Sequence, residues 1–273
     1  MATLHICLFG QFHARRDEQP ITTLHMPRVQ ELLCYLLLNP AYGHSRDTLA
    51  GRLWGNDASG AARKALRQTL WQLQGALDKG TTADEPPVLL IQRDSIALNA
   101  AADLWLDTSR LERVGALVRE VPGARLDAEQ ARALEEAIDL YRGDLLDGWY
   151  QDWCLFERER LQSLYLGLVN KLMGYCEANR RYEAGLEYGA RILRVDRARE
   201  RTHWRMMRLY YLLGDRTAAL RQYQLCVAAL KEELDLAPAA RTQALYQHIR
   251  FDQATGDSRR RRSPRAQHRR APA

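Results

Sequence analysis

The C-terminal half of the chain carries a helical pattern that repeats at a spacing of 34 residues. The two copies align Leu172-Met173 with Met206-Met207, Tyr182-Glu183-Ala184 with Arg216-Thr217-Ala218, and Leu186 with Leu220. Arg180-Arg181 and Gly214-Asp215 fall at equivalent turns. A helix–turn–helix period of this length is that of tetratricopeptide repeats (TPR), whose stacked hairpins share a continuous core. The repeat predicts an all-α, TPR-like domain, which we place at residues 104–250.

Residues 1–100 have a different pattern, in which strands and helices are mixed. Leu4, Ile6 and Leu8 alternate with other side chains, as in a half-buried strand. Three helical stretches follow: about 28–38, a second that begins after the N-cap Ser45, and about 60–79. Residues 88–91 and 95–98 then predict a hairpin. This order is that of a winged helix-turn-helix, so we expect a mainly α protein with a small β component.

The third helix of this N-terminal domain has two contrasting faces. One face is apolar and predicts a core stripe formed by Ala62, Leu66, Leu70, Leu73 and Leu77. The other carries basic and amide side chains, with no acidic residue between Gly60 and Leu77. Arginine and lysine recognise guanine or phosphate, and glutamine recognises adenine. The predicted DNA-reading residues are therefore Arg63, Lys64, Arg67, Gln68 and Gln72; a merely solvated face is the alternative.

Three further residues are predicted to contact DNA outside this helix. Arg93 lies at the tip of the hairpin, where a wing meets the minor groove or a phosphate. Arg46 and Thr48 lie near the start of the second helix and can donate to phosphate, although helix capping explains their polarity as well. Trp71 is expected to pack against a second copy or against the following helical segment, with DNA contact as the alternative.

The charge of the chain is concentrated at its end. The net charge is +6, but residues 251–273 hold seven arginines and two aspartates, which leaves only +1 for residues 1–250. We expect residues 251–273 to form a disordered, arginine-rich tail. This tail either adds non-specific affinity for DNA by counterion release or is a dispensable solubilising segment.

The sequence contains no motif that predicts catalysis or a metal site. The five cysteines are scattered, without a C-x-x-C pair, and are predicted to be buried thiols in a reducing cytoplasm; for Cys154, Cys176 and Cys226 a redox sensor is the alternative. His203 is expected to have a packing or surface role, and the run Glu157–Arg160 to form a solvated helix face, with a polymerase contact as the alternative. The longest apolar run, Leu32–Leu38, is too short to span a bilayer. We therefore expect a cytoplasmic protein that is not an enzyme, with no cofactor, no metal and no membrane partner.

The order of motifs along the chain resembles that of a known family. The motifs are Leu8–Phe12, Gln30–Leu37, Ser45–Ala50, Leu53–Gly55, Ala65–Leu70, Trp105–Asp107, Leu140–Leu146, Trp153, Glu157–Leu161, Ala218–Tyr223 and Leu230–Leu234. Together they resemble the SARP-type bacterial activators (Streptomyces antibiotic regulatory proteins), which join an OmpR-like winged helix to a TPR-like bacterial transcriptional activation domain. The chain departs from this family at Gln74, where arginine is usual, and at Trp71, where a small or polar residue is usual.

The resemblance implies a sequence-specific transcription factor. It would bind direct repeats in double-stranded promoter DNA as a head-to-tail homodimer, and would contact RNA polymerase, including its sigma subunit. From the residues alone a second function stays open. In that alternative the chain is a TPR-type scaffold for protein–protein interaction, and its winged helix does not bind DNA.

Overall fold

The computed structural model describes residues 3–40, 43–55, 60–79 and 85–260, with side chains as far as residue 252. Within these residues the chain is mainly helical with a small β component, which confirms the predicted class. The strands are β1 Leu4–Cys7, β2 His13–Arg16, β3 Gln19–Pro20, β4 His44–Ser45, β5 Leu89–Ile91, β6 Ser95–Leu98 and β7 Leu104–Leu106. The helices are α1 Pro27–Leu38, α2 Arg46–Trp54, α3 Ala61–Asp78, α4 Asp107–Leu117, α5 Ala128–Ile138, α6 Asp152–Ala178, α7 Tyr182–Val195, α8 Glu200–Leu212, α9 Arg216–Leu234 and α10 Ala240–Arg260.

The three predicted helices of the N-terminal segment form where the sequence signals place them. Helix α1 ends at Leu38, since the residue before a proline disfavours the helical conformation. Helix α2 follows Ser45, whose side-chain oxygen accepts a hydrogen bond from the backbone N–H of Thr48. Helix α3 begins after Gly60, which has φ of 78°. The predicted hairpin is formed by β5 and β6, which pair antiparallel.

Two small sheets accompany these helices. The first has the order β3-β2-β1-β7, with β1 antiparallel to β2 and parallel to β7. In β1 the side chains of Leu4 and Ile6 are buried, as the alternating pattern predicts. The second sheet has the order β4-β6-β5, so that β4, which the sequence analysis missed, joins the start of α2 to the hairpin.

A buried carboxylate attaches α4 to the two residues that follow the first strand by one position or two. Asp107 Oδ2 accepts hydrogen bonds from the backbone N–H groups of Leu8 (2.8 Å) and Phe9 (2.9 Å), and Oδ1 accepts one from Thr108 N–H (2.7 Å). Burial raises the pKa of this carboxyl, while its backbone hydrogen bonds oppose the rise. Asp107 thus accepts hydrogen bonds from three backbone N–H groups that no strand pairing or helix satisfies.

The chain divides into two compact units. The first contains residues 1–119 and 132–165, and the second contains residues 120–131 and 166–273. This division does not follow the predicted domains, 1–100 and 104–250, because β7 and Asp107 connect the start of the predicted second domain to β1. The predicted domain limits stay a prediction.

The second unit shows the 34-residue period in its helix starts. Helices α7 and α9 begin at Tyr182 and Arg216, and the turn residues Arg180 and Gly214 both have positive φ, 57° and 81°. Gly189 of α7 faces Met206 of α8, where a Cβ atom would lie 2.7 Å from the methionine side chain. The glycine therefore permits a close approach of these two helices.

The sequence has two pairs with the spacing of a capping box, Ser109 with Glu112 and Asp127 with Gln130, which predict two helix starts with different outcomes. Asp127 and Gln130 form the expected reciprocal box, in which each backbone N–H donates to the other side chain at 3.2 and 2.7 Å. The Ser109–Glu112 pair is wrong, because α4 already begins at Asp107. Glu112 instead forms an ion pair with Arg160 at 2.6 Å.

Two other expectations concern charged segments. The solvated face predicted for Glu157–Arg160 is wrong for Arg158, which donates to the carbonyl oxygens of Leu145, Leu146 and Trp149 at 2.8–2.9 Å. Helix α10 runs to Arg260 and so includes the first ten residues of the predicted disordered tail. Residues 261–273 lie outside the described part of the chain.

Candidate nucleic-acid interface

Helix α3 has the two faces that its sequence predicts. The five residues of the predicted core stripe are buried, and Thr69 and Ala76 are buried beside them. On the opposite face Arg63, Lys64, Arg67 and Gln68 are exposed, and Gln72 is half-buried. The burial of one face fixes the helix to the rest of the first unit and leaves the polar face accessible.

The first turn of α3 carries two basic side chains. Arg63 and Lys64 lie in its first turn, which contains no acidic residue, and the N-cap is Gly60 without a capping side chain. The aligned peptide dipoles of the helix add positive charge at the same end. Basic residues are unfavourable at this end of a helix unless a negative partner approaches.

The start of α2 lies beside the hairpin turn. The backbone N–H of Arg46 donates to the carbonyl oxygen of Asp94 at 3.1 Å, and its guanidinium donates to that of Gln92 at 3.1 and 3.3 Å. The hydroxyls of Thr48 and Ser45 form a hydrogen bond of 2.8 Å, in addition to the helix cap. Arg46 therefore holds the hairpin against α2, and Thr48 takes part in the cap.

A groove of about 700 Å³ joins these elements. Its lining residues come from the start of α2, the start of α3 and the hairpin turn: Ser45, Arg46, Asp47, Gly60, Arg63, Leu66, Arg67 and Asp94. Three predicted DNA-binding residues, Arg46, Arg63 and Arg67, thus share one surface. Arg93 is exposed in the turn next to Asp94, whereas Lys64, Gln68 and Gln72 lie on α3 outside the groove lining.

Two acidic side chains face the groove, and the sequence analysis missed both. Asp47 forms a bidentate ion pair with Arg63, in which Nε donates to Oδ1 at 2.7 Å and Nη2 donates to Oδ2 at 2.8 Å. Asp94 lies on the hairpin turn. The absence of acidic residues within α3 does not reveal them, because they come from other elements. The only signal was the family motif Ser45–Ala50, which contains Asp47.

The carboxyl end of α3 is held by Arg16, a residue that the sequence analysis missed. Arg16 of β2 donates from Nη2 to the carbonyl oxygen of Leu77 at 2.6 Å, and its Nη1 lies 3.4 Å from Glu85. Its side chain is only 10% exposed. A cation at the last carbonyls of a helix satisfies them and favours the negative end of its dipole. Arg16 therefore fixes the carboxyl end of α3.

Trp71 projects from α3 into solvent, with 74% of its surface exposed. The expectation that it packs against the following helical segment is therefore wrong for the described chain. Contact with a second copy or with DNA stays a prediction.

The remaining candidates behave as packing residues. His203 is 3% exposed, and its ring nitrogens form hydrogen bonds of 2.8 Å with the carbonyl oxygen of Arg197 and 2.7 Å with the amide of Gln222. Burial lowers the pKa of His203, which keeps the ring neutral near pH 7. This confirms its predicted packing role.

The cysteines are free thiols, and four of them are buried as predicted, with Cys7 half-buried. Burial raises the pKa of Cys226 to about 12 and also raises that of Cys34 and Cys154. A thiol with a raised pKa is a poor nucleophile. In the described ranges, His, Cys, Asp and Glu side chains form no group of three or more that could hold a metal ion. None of the described helices combines the length and apolar character that crossing a bilayer requires.

Comparison with known proteins identifies similar sequences and a similar fold. Residues 106–250 match the family model described as "Bacterial transcriptional activator domain". The regulatory protein AfsR of Streptomyces coelicolor is 26% identical over 251 residues, which cover 90% of this chain and 24% of AfsR. The structure of EmbR of Mycobacterium tuberculosis in complex with a low affinity phosphopeptide aligns with a TM-score of 0.68 and 21% identity, covering 92% of this chain and 66% of the other. The chain therefore spans about a quarter of AfsR and just under two thirds of the EmbR chain.

Proposed function

The chain belongs to the bacterial transcriptional activator domain family, and from this premise we propose that it binds promoter DNA sequence-specifically through its N-terminal unit. Membership confirms the resemblance to the SARP-type activators, and with it a role in transcription regulation. The resemblance also implies a cytoplasmic location, which agrees with the proposed DNA binding.

One observation carries this proposal. The exposed face of α3 and the start of α2 present Arg46, Arg63 and Arg67 to a single groove, although residues 1–250 are almost neutral overall. Asp47 and Asp94 offset part of this charge, but the exposed face of α3 adds Lys64 and has no acidic residue between Gly60 and Leu77, which favours a polyanion where the average charge does not. In a near-neutral body, this placement argues for a specific anionic partner rather than for general attraction.

The proposed binding mode is that of a winged helix-turn-helix. Helix α3 would enter the major groove, which is about 12 Å wide and accepts a single helix. In this mode the N-terminal residues of the recognition helix contact base edges. Arg63 and Lys64 lie in that first turn, and Arg67 and Gln68 lie one turn later. The hairpin tip with Arg93 would contact the adjacent backbone, and Arg46 would support the hairpin as well as approach a phosphate.

The second compact unit has a different proposed role. The family resemblance supports contacts with RNA polymerase, including its sigma subunit, and head-to-tail pairing of two copies on direct repeats. Exposed apolar side chains such as Leu225 and Leu236 are available on this unit. A transcription assay with purified polymerase and two spaced half-sites tests both proposals. Activation tests the polymerase contact, and deletion of one half-site should abolish the part of the activation that depends on pairing of two copies.

Fluorescence anisotropy of the full chain tests DNA binding. The probes are duplexes from the region upstream of the protein's own gene and a scrambled duplex, at about 50 and about 200 mM salt. We expect selective binding that the double variant Arg63→Ala/Arg67→Ala weakens at least about tenfold, because a base contact by arginine contributes about 1–3 kcal/mol. The matched control Arg110→Ala/Arg113→Ala removes the same charge from exposed positions on α4 and should keep the selectivity.

Two outcomes would contradict the proposal. Selective binding that survives the α3 double variant would move the interface away from this helix. Binding without selectivity, lost when the chain is shortened to residue 252, would assign DNA affinity to the tail. The latter result would favour the TPR-type protein scaffold.

A further inference from the structure

Arg63 is held in a fixed orientation by a neighbouring helix. Asp47 lies in the first turn of α2 and Arg63 in the first turn of α3, and two short hydrogen bonds join them. A bidentate pair restrains the guanidinium in its own plane, whereas a single hydrogen bond would leave it free to rotate. Both side chains remain about two thirds exposed, 68% for Arg63 and 66% for Asp47.

The atoms used in this pair leave a specific edge of the guanidinium available. Arginine has five N–H donors, one on Nε and two on each of Nη1 and Nη2. Asp47 occupies the Nε donor and one donor of Nη2. The outer edge, with one N–H from Nη1 and the second N–H of Nη2, has no acceptor among the described residues. This edge presents two parallel donors.

Two parallel donors match one base in the major groove. Guanine presents its N7 and O6 acceptors side by side, and a bidentate arginine is the commonest contact to them. The carboxylate also offsets the charge of Arg63, which weakens its attraction to phosphate at any sequence. Fixing the side chain before binding lowers the entropy lost when the contact forms.

The other arginines of the groove are in different situations. Arg46 already donates to Gln92, and no hydrogen bond or ion pair joins Arg67 to another described residue. An arginine such as Arg67, which is exposed and which no bidentate pair with a described residue restrains, suits a phosphate, since a phosphate accepts from many directions. Arg46 uses the same two nitrogens, but at 3.3 and 3.1 Å and toward one acceptor, whereas Arg63 donates at 2.7 and 2.8 Å to two acceptors and lies on α3, the helix proposed to enter the major groove.

We propose that Asp47 is a positioning residue that presents the outer edge of Arg63 to a guanine in the major groove. This inference rests on the proposed DNA binding and adds the base that one residue reads. Asp47 itself would not contact DNA. Its effect would be that Arg63 binds guanine selectively instead of attracting phosphate at any sequence.

Selection from a random duplex pool tests the inference without knowledge of the operator. The full chain and its variants Asp47→Ala, Asp47→Glu and Arg63→Ala each select from the same pool, and the bound duplexes are sequenced. Anisotropy then measures each protein on two duplexes that differ only at the affected base pair. The control Asp94→Ala removes one negative charge from the same groove, without a contact to Arg63.

The expected pattern separates positioning from charge. The unmodified chain should prefer guanine at one position by at least about fivefold. Both Arg63→Ala and Asp47→Ala should lose most of that preference at the same position, and Asp47→Glu should regain part of it by restoring a carboxylate. Asp47→Ala and Asp94→Ala should both bind unselected duplex about two- to threefold more tightly, because each removes a repulsive charge. Of these two alanine variants, only Asp94→Ala should keep the guanine preference.

Three results would overturn the inference. If the unmodified chain selects no sequence, the proposed function fails and this inference fails with it. If it selects a sequence and Asp47→Ala selects the same one with equal discrimination, DNA binding stands and the positioning role is wrong. If Arg63→Ala lowers affinity equally for all sequences and reduces the salt dependence, Arg63 contacts a phosphate instead. Thermal unfolding of each variant checks that the loss of Asp47 from the first turn of α2 leaves the fold intact.

Discussion

Replacing Asp107 tests how much this one carboxylate contributes to stability by joining the start of α4 to Leu8 and Phe9, which follow β1. In Asp107→Ala the backbone N–H groups of Leu8 and Phe9 lose their acceptor, and both residues are buried, at 0% and 3% exposure. A buried donor without a partner costs about 1–3 kcal/mol. Two such donors, together with the lost bond to Thr108, give an expected loss of about 3–5 kcal/mol. Since a domain has about 5–15 kcal/mol of stability in total, this loss is between about a fifth and all of it.

The variant Asp107→Asn should behave differently. Its single oxygen can occupy the position of Oδ2, which accepts from both Leu8 and Phe9. Its amide group would then face the N–H of Thr108, so that one hydrogen bond is replaced by two opposed donors. We expect a loss of about 1–2 kcal/mol. The main prediction is that Asp107→Ala loses more free energy of unfolding than Asp107→Asn does.

Urea denaturation with tryptophan fluorescence measures both variants. With a slope of about 2 kcal/mol per molar urea, the alanine variant should shift the midpoint by about 2 M and the asparagine variant by less than about 1 M. Asp103→Ala serves as the control, because this nearby aspartate accepts a hydrogen bond from Thr3 at an exposed position. A loss below about 1 kcal/mol in Asp107→Ala, or one equal to that of Asp103→Ala, would refute the reasoning.

Three further changes have effects that follow from single contacts. Ser45→Ala removes the cap of α2 and should cost about 1 kcal/mol, seen as a lower melting temperature; no change would mean that the cap is satisfied by another group. Gly123→Ala would bring a Cβ atom to 3.0 Å from the backbone Cα and carbonyl carbon of Lys171, and should cost at least about 2 kcal/mol in chemical denaturation. Equal stability would show that this backbone can move apart. Burial lowers the pKa of His203 below 6.5, so the unfolded chain takes up the proton first and stability should fall as the pH drops below about 6.5. Melting temperatures at about pH 7.5 and 5.5 check this, and an equal pH dependence in His203→Gln would contradict it.

Features that depend on neighbouring residues in the chain were predictable. The end of α1 before Asn39-Pro40 and the start of α2 at Ser45 are set by backbone sterics and capping within about one turn. The buried stripe of α3 follows from a period that any amphipathic helix shares. The 34-residue spacing of the starts of α7 and α9 was predictable for the same reason, since each repeat is a local hairpin.

The candidate interface was predictable only in part. The exposed residues of α3 could be assigned from a helical wheel, because the wheel needs nothing beyond the helix itself. Their partners could not be assigned in this way. Asp47 lies 16 positions before Arg63, and the angle between two helices decides whether the side chains meet. The same limit hid Arg16, whose bond to Leu77 connects a strand with the end of a helix 61 positions later.

The sequence by itself determined the helices α1 to α3, the hairpin and the face that α3 buries, whereas it missed β4, the start of α4 and the length of α10. Only the tertiary structure decided which charges meet, that Arg158 donates to three carbonyl oxygens, and that Asp107 connects α4 with Leu8 and Phe9 after β1. The physical reason is the range of the forces involved. Propensity, capping and periodicity act over a few residues, whereas a hydrogen bond or ion pair requires two atoms to come within about 3 Å, and only packing sets that distance across the chain.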